Sequence, residues 1–305
     1  MSTLGKALFI VNPASQNGKA AQGAAMIRYA SFQHPHMADT VDIVTTKYPG
    51  HAVEIARDAV EFDTVVALGG DGIIHEIVSG LMKIDRDRRP VLGVIPCGNG
   101  NDYARTLGMA LDLDASFEQL ARAHVERFDV GVCNGEYFIE TLSFGLDAAI
   151  AIGTHERRER TGLEGTKLFL REGIDQLLHH RDIYDVRLTF DDNDQSFHQI
   201  HLMAIQIGVT YGGGFNVCPD ADATDGIFNV CMALAPLGFA RAAFIFLMAK
   251  DGKHISHSKV LTFNTARHIV LDFDIEPPAQ VDGEQIKGSH FDVSILPQEL
   301  QVLVP

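Results

Sequence analysis

An α/β domain built on a parallel sheet, followed by an antiparallel β-rich domain, is the fold this sequence predicts. Two observations carry it. From Lys6 to His124, short apolar runs without polar alternation take turns with helical patterns, and beyond Phe128 strand-like pieces follow one another with few helices between them. Runs that are apolar throughout are buried on both faces, which is the condition of strands joined by helical crossovers. The 305 residues are enough for two domains, and a content of 46% hydrophobic and 21% charged residues excludes disordered and fibrous classes.

The first half reads as strand Lys6 to Val11, helix Gly18 to Tyr29, strand Thr40 to Thr45, helix His51 to Val60, strand Thr64 to Leu68 and helix Ile73 to Met82. Strand Val91 to Ile95, a short helix Tyr103 to Leu107 and helix Leu113 to His124 complete it. The second half reads as strands Asp129 to Cys133, Tyr137 to Ser143, Tyr184 to Phe190, Gln195 to Gly208, Ile227 to Ala233, Val260 to Asn264, His268 to Phe273 and Phe291 to Leu296. Helices Thr166 to His180 and Gly238 to Lys250 interrupt them. The boundary falls near Arg127 to Asp129, giving a domain over 1–128, which the tail 297–305 is available to complete, and a second over 129–296.

A net charge of -15 argues against nucleic acid as a partner and against general attraction to an anionic membrane. Cys97, Cys133, Cys218 and Cys231 form no CxxC pair, so reduced thiols and a cytoplasmic location are expected. Neither Ala7 to Val11 nor Ala242 to Ala249 is long enough for a signal-peptide core or a membrane span. Peripheral contact with the inner membrane surface stays open, with Arg157, Arg158, Arg160, Lys167 and Arg171 around Leu168, Phe169 and Leu170 as its candidate patch, and an ordinary solvated helix as the alternative. Oligomeric state is left open; a homodimer is compatible.

Three loops at strand ends carry the chemistry, because ligands of parallel sheets sit at the carboxyl ends of the strands. The apolar run Thr64 to Leu68 empties into Gly69-Gly70-Asp71-Gly72 and a helix follows at once, with Ile73, Ile74, Ile77, Val78 and Leu81 at helical spacing. Glycines bring backbone N–H groups near an anion, and the helix points its positive end at the same place. Asp71 would repel a phosphate, so it faces Mg²⁺ through water or a hydroxyl about to lose its proton. The second loop, Gly98-Asn99-Gly100-Asn101-Asp102, offers neutral donors, with Asp102 alternatively capping the next helix. The third is Asn12-Pro13-Ala14-Ser15-Gln16 with Asn17-Gly18-Lys19, which is not a Walker A loop. Three such loops on one sheet point to a nucleotide.

Asn12-Pro13, the run Gly69 to Glu76, the run Gly98 to Asp102 and Val281-Asp282-Gly283-Glu284 stand in the order and approximate spacing of the diacylglycerol kinase catalytic-domain family, which the chain resembles over nearly its whole length. That family includes bacterial soluble lipid kinases and is related to sphingosine and ceramide kinases. The resemblance implies transfer of the ATP γ-phosphoryl group to a lipid hydroxyl, with the active site in the cleft between an α/β and a β-rich domain. It implies ATP contacts at Asn12, Pro13, Ala14, Ser15, Gln16, Thr45, Gly69, Gly70, Asp71, Gly72, Ile73, Ile74, His75, Glu76 and Asn99. Glu284 resembles the proton acceptor, Asp71 the residue that organises Mg²⁺ through water, and Asp129 an aspartate linked to that network. A PxAxxxDG-like loop, Pro219 to Ile227, matches a structural Mg²⁺ site, implying the carbonyls of Asp222 and Ile227 and the carboxylate of Asp225 as ligands.

Ile73 and Asn99 stand where the family usually or commonly has threonine, and Gln16 where glycine is frequent, changes that bear on the strength of ATP binding more than on its place. Two rivals remain: a kinase of the NAD kinase type, which shares the Gly-Gly-Asp-Gly loop, and a nucleotide-binding regulatory protein without catalysis. His75-Glu76 lacks the second histidine of a zinc-protease helix, Ser79 standing in its place.

Overall fold

The computed structural model describes residues 2–15, 22–161, 165–179, 182–257 and 259–305. The chain packs as two compact units, Met1–Phe128 with Gln298–Pro305, and Asp129–Pro297.

In the first unit β1 (Lys6–Val11), β2 (Thr40–Thr45), β3 (Thr64–Gly69) and β4 (Val91–Pro96) run parallel. Their order is β4-β3-β1-β2, and Val302 of the C-terminal strand pairs in parallel with Leu92 of β4. The central β3 is buried at all six positions and the edge strand β2 at none, which is why only β2 (TVDIVT) carries alternating polar residues. Helices α1 (Gly23–Gln33), α2 (His51–Arg57), α3 (Asp71–Leu81), α4 (Asp102–Thr106) and α5 (Leu113–Leu120) connect and flank them. Phe9, Ile27, Met37, Leu68, Ile95, Leu120 and Leu303 meet in one core.

Boundaries moved in both kinds of element: the last strand runs eight residues past the expected Leu296, and the strand His124–Cys133 starts five residues before the expected Asp129. α1 runs four residues past the expected Tyr29, while Gln16 to Ala21, including the Asn17-Gly18-Lys19 segment, lie outside the described residues. α2 ends at Arg57, with Asp58 as C-cap, and α5 ends at Leu120 instead of His124, because His124 already belongs to β5 (His124–Cys133).

The second unit is an antiparallel sheet. β6 (Glu136–Phe138), β7 (Thr141–Gly145), β8 (Tyr184–Phe190), β9 (Ser196–Gln206), β10 (Phe228–Leu234), β11 (Leu261–Ala266) and β12 (His268–Phe273) pair as neighbours: β6 with β5, β7 and β8 with β9, β9 with β10, β10 with β11, and β12 with β8. A hairpin, β13 (Ala279–Val281) and β14 (Glu284–Ile286), adds to β7, and β15 (His290–Val304) adds to β12. Three helices accompany it: α6 (Leu146–Thr161), α7 (Gly165–His179) and α8 (Phe239–Ala249).

The expected single strand Tyr137 to Ser143 is two strands, interrupted where the N–H groups of Ile139, Glu140 and Thr141 turn away to Asp282. α6 was not expected, its outer half being the charged HERRER stretch. Of the described residues of the candidate membrane patch, Arg157 alone is set apart by its pairing. Its guanidinium is half-buried and ion-paired with Glu172 and with Asp175 at 2.7 Å, so it is a link between α6 and α7 and not a surface cation. Leu168 is buried and Arg171 exposed; the side chains of Arg158, Arg160, Lys167, Phe169 and Leu170 lie outside the described residues.

All four cysteines are buried and unbridged, and burial pushes the thiols of Cys133 and Cys231 up to about 12, so neither is a ready nucleophile. Among the described residues no helix is long and apolar enough to cross a membrane.

Candidate functional site

The first-unit loops gather at the carboxyl ends of β1, β3 and β4. Asn12 closes β1: its N–H donates to Leu68 at 3.2 Å and its Oδ1 accepts the Ala14 N–H at 3.0 Å, a side-chain turn that folds Pro13-Ala14-Ser15 back toward β3. A Cβ on Gly69 would lie 3.1 Å from the Ser15 hydroxyl and 3.6 Å from the Asn12 Cβ, so these two loops touch. The third joins through glycine as well. The Cys97 N–H donates to the Gly69 carbonyl at 2.6 Å, and a Cβ on Gly70 would sit 2.9 Å from the Gly98 Cα.

Asn101 shapes the Gly98 loop. It occupies the left-handed region at φ 53°, accepts the Gly98 N–H on its Oδ1 at 2.8 Å and donates Nδ2 back to the Gly98 carbonyl at 3.0 Å. Its left-handed tolerance and its place in an Asn/Gly-rich loop were the signal available for it.

Gly70 and Gly72 do different things. Gly70 is the N-cap of α3 with no side chain to cap the helix, and Gly72 is exposed, with nothing within 4 Å of where a Cβ would stand. The first turn of α3 therefore has N–H groups that no side chain caps, and room beside Gly72. Gly70→Ala forces backbone against backbone and should lower stability by about 1–3 kcal/mol, whereas Gly72→Ala, inside a helix with room for the methyl, should be neutral or stabilising by up to about 1 kcal/mol. Thermal denaturation of the two variants checks this opposite sign.

Asp71 is not a spectator in this loop. Its Oδ1 accepts the Tyr103 N–H at 3.2 Å, so it supplies the capping carboxylate of α4. The helix starts at Asp102 with Asn101 as N-cap, so the expectation that Asp102 caps it is corrected. Asp102 is buried beside Asp71. Burial, then the repulsion of Asp102, raise the Asp71 carboxyl from 3.8 to about 7, against backbone N–H groups of Tyr103, Asn101 and Asp102 that favour the anion.

The remaining candidates of this unit divide. Ile73 and Ile74 are buried in the core side of α3, so only their backbone is available to a ligand. The Glu76 carboxylate is turned onto the N–H groups of Gly50 at 2.9 Å and Ala52 at 3.1 Å, capping α2. Thr45 is exposed at the end of β2, and His75 and Asn99 are half-buried.

In the second unit Asp129 is buried and joined to the acidic loop. Its Oδ2 accepts the Gly226 N–H at 2.7 Å, and its own N–H donates to the Ala223 carbonyl at 2.8 Å. Within that loop Asp222 Oδ1 accepts the N–H and hydroxyl of Thr224, and Asp225 Oδ1 accepts the Ile227 N–H at 2.9 Å. Asp282 and Gly283, at φ 46° and 95°, form the two-residue turn of the β13–β14 hairpin, the geometry an Asp-Gly pair favours. Both Asp282 oxygens are occupied: Oδ2 by the Ile139 N–H at 2.9 Å, Oδ1 by Glu140 and Thr141 at 3.0 Å each. Glu284, directly after the turn, pairs with Val281 and is exposed.

Comparison with known proteins now bears on these loops. The family model for the diacylglycerol kinase catalytic domain matches residues 6–133, and the model for the YegS C-terminal NAD kinase beta sandwich-like domain matches residues 140–304. Residues 6–133 belong to the diacylglycerol kinase catalytic-domain family. A diacylglycerol kinase of Staphylococcus saprophyticus is 27% identical over 273 residues, covering 88% of this chain and 85% of the relative. One of Bacillus subtilis is 29% identical, covering 78% and 77%. The crystal structure of a diacylglycerol kinase from Bacillus anthracis shares the fold at a TM-score of 0.75 and 20% identity, covering 100% of this chain and 98% of its own. An NAD kinase from Archaeoglobus fulgidus, solved with ATP, shares it at 0.54 and 14%, covering 97% and 92%. The family's two-domain mixed fold is thus that of this chain.

Proposed function

We propose that the protein is an ATP-dependent lipid kinase that transfers the γ-phosphoryl group to a hydroxyl of diacylglycerol or a related amphiphilic alcohol. One observation carries the nucleotide part: the start of α3, which no side chain caps and which has room beside Gly72, adjoins the Asn12–Ser15 and Gly98–Asn101 loops, which offer hydroxyl, amide and backbone donors. That donor set suits a polyphosphate, which is bound by N–H groups at a helix N-terminus. In this reading Asn12, Pro13, Ala14, Ser15, Gly69, Gly70, Gly72, Thr45 and Asn99 surround ATP, and Ile73, Ile74, His75 and Glu76 hold the helix that points at it. Gln16, also assigned there, lies outside the described residues.

The kinase reading also calls for Mg²⁺, which supplies charge neutralisation on the transferred phosphoryl group. A separate, structural Mg²⁺ is assigned to the acidic loop; among the described residues no three His, Cys, Asp or Glu side chains gather, so carbonyl oxygens serve in that set. Hydrogen bonds engage Oδ1 of Asp225, and its other oxygen with the carbonyls of Asp222 and Ile227 makes an all-oxygen set suited to a hard cation. Asp129, bonded to Gly226 in the middle of the loop, holds its shape. Asp71 is assigned to orient the water around the nucleotide's cation, and Glu284 to take the proton from the attacking hydroxyl.

Incubation with γ-labelled ATP and either a lipid extract or NAD tests the reading. Label is expected in the lipid fraction. Label in NAD would establish the NAD kinase type, and ATP binding without transfer would establish a regulatory protein.

A further inference from the structure

Helix α8 is apolar on both sides. Ala242, Ile245 and Ala249 are buried in the core of the second unit, as one face of a surface helix should be. The opposite face of such a helix is ordinarily polar. Here it holds Ala240, Phe244 and Leu247, at the i, i+4, i+7 spacing of one stripe, with Phe244 55% and Leu247 53% exposed.

The stripe continues past the helix. The 3-10 turn Lys253–Ser256 packs on α8 and exposes Ile255. The His257 ring centroid stands 5.8 Å from that of Phe244, and the His254 ring centroid 5.8 Å from that of Phe263 on β11. Phe263 shares a face of its strand with Leu261, two residues earlier, which joins the core beneath α8, while Phe263 stays exposed. Single exposed apolar side chains are ordinary, but a run of them over a helix, a turn and an edge strand marks a contact surface.

Charge says what that surface meets. Between Asp225 and Asp272 the chain has one acidic residue, Asp251, out of 40 in all. Asp251 is ion-paired with Lys253 at 3.0 Å. The same stretch has five cations, Arg241, Lys250, Lys253, Lys259 and Arg267, all exposed, so it carries +4 in a chain of net charge -15. Arg241 and Lys250 each stand three residues from a member of the apolar stripe, at its borders, and Lys253 shares the turn with Ile255. A second copy of the chain would bring the same positive rim against this one. An apolar stripe bordered by Lys and Arg matches an anionic bilayer, which takes up the apolar side chains and holds the cations at its phosphates.

We propose that α8, the Lys253–Ser256 turn and β11 form the surface by which the protein docks on an anionic lipid bilayer. Phe244, Leu247 and Ile255 enter the interface, and Arg241, Lys250 and Lys253 meet the headgroup phosphates. The acidity of the rest of the chain confines the attraction to this face. The inference goes beyond the lipid kinase reading and does not rest on it.

Cosedimentation of the full chain with vesicles of phosphatidylglycerol and phosphatidylcholine, without nucleotide, is the test. Wild type should bind these vesicles at least about tenfold more tightly than vesicles of phosphatidylcholine alone. Phe244→Ser/Leu247→Ser should weaken binding on the order of tenfold for each side chain withdrawn. Arg241→Gln/Lys250→Gln should weaken it about fivefold for each cation, on the anionic vesicles only. Phe32→Ser, which removes an 81% exposed ring from α1, should leave binding unchanged. Melting curves accompany each variant, and should Phe244→Ser/Leu247→Ser melt early, Arg241→Gln/Lys250→Gln carries the test. No binding of wild type to anionic vesicles, α8 variants that bind as wild type does, or an equal loss in Phe32→Ser would overturn the proposal. So would a wild-type dimer that Phe244→Ser/Leu247→Ser turns into a monomer, since the face would then be a contact between copies. Label found in NAD instead of lipid would sink the kinase reading and leave vesicle binding as measured.

Discussion

Glu284→Gln should slow phosphoryl transfer by about 10²–10⁴-fold, the usual contribution of a positioned general base, and leave thermal unfolding unchanged. The reason lies in how the hairpin divides its labour. Glu284 is exposed and follows the turn, and an amide of the same shape takes away proton affinity and little else. Asp282, two residues earlier, is the opposite case. Its carboxylate accepts three backbone N–H groups from the segment between β6 and β7, at a positive φ that few residues tolerate. Asp282→Ala should therefore destabilise the protein by about 3 kcal/mol or more, since charge-assisted bonds are lost and three donors are left behind. Single-turnover transfer from labelled ATP, measured beside melting curves, separates the two. Glu284→Gln retaining transfer near the wild-type rate would remove Glu284 from the proton-acceptor role, and a lowered melting temperature would mark it as structural.

The same hairpin shows what a sequence can and cannot declare. Strand β1 begins and ends where the pattern of apolar residues does, because a strand buried on both faces writes its limits as a run, here stopped by Asn12-Pro13. β13 and β14 are three residues each, too short to show a period, yet the Asp282-Gly283 pair between them is a hairpin signal that was there to be used. α6 is illegible for a different reason: half of it is charged, and it is held by the burial of Leu146 and Ile150 at one end and by the pairing of Arg157 with Glu172 and Asp175 on another helix at the other. The first-unit site follows the same division. That glycines bring backbones together is written in their spacing, but which backbones meet, Gly70 against Gly98, is not. Nor does any local pattern place the Asp71 carboxylate on the Tyr103 N–H 32 residues away, or the Tyr211 hydroxyl on Asp147, 64 residues away.

Asp71→Asn should reduce transfer by at least about a hundredfold, within the range seen when a charged group that organises a transition state is removed, while raising stability at alkaline pH. These opposite effects come from one electrostatic fact. Burial and Asp102 lift the Asp71 carboxyl to about 7 in the folded protein, from an ordinary value of 3.8. A carboxyl raised on folding favours the native state only while it keeps its proton. That contribution is complete below the unfolded value and is lost as pH climbs through about 7. Asparagine has no proton to lose, and its Oδ1 can still accept the Tyr103 N–H that caps α4. In metal- and nucleotide-free protein the variant should thus gain on wild type between pH 5 and pH 8, by an amount of order 1 kcal/mol, since a tenfold change in proton affinity is worth about 1.4 kcal/mol and Asp71 and Asp102 share the strain. Melting curves across that range measure the gain, and a variant that melts lower at every pH would show that α4 depends on the Asp71 charge. Its inactivity would then reflect a displaced Gly98 loop. A gain in stability with transfer lost would instead mean that the fold tolerates a costly carboxylate beside Asp102 because the reaction requires it.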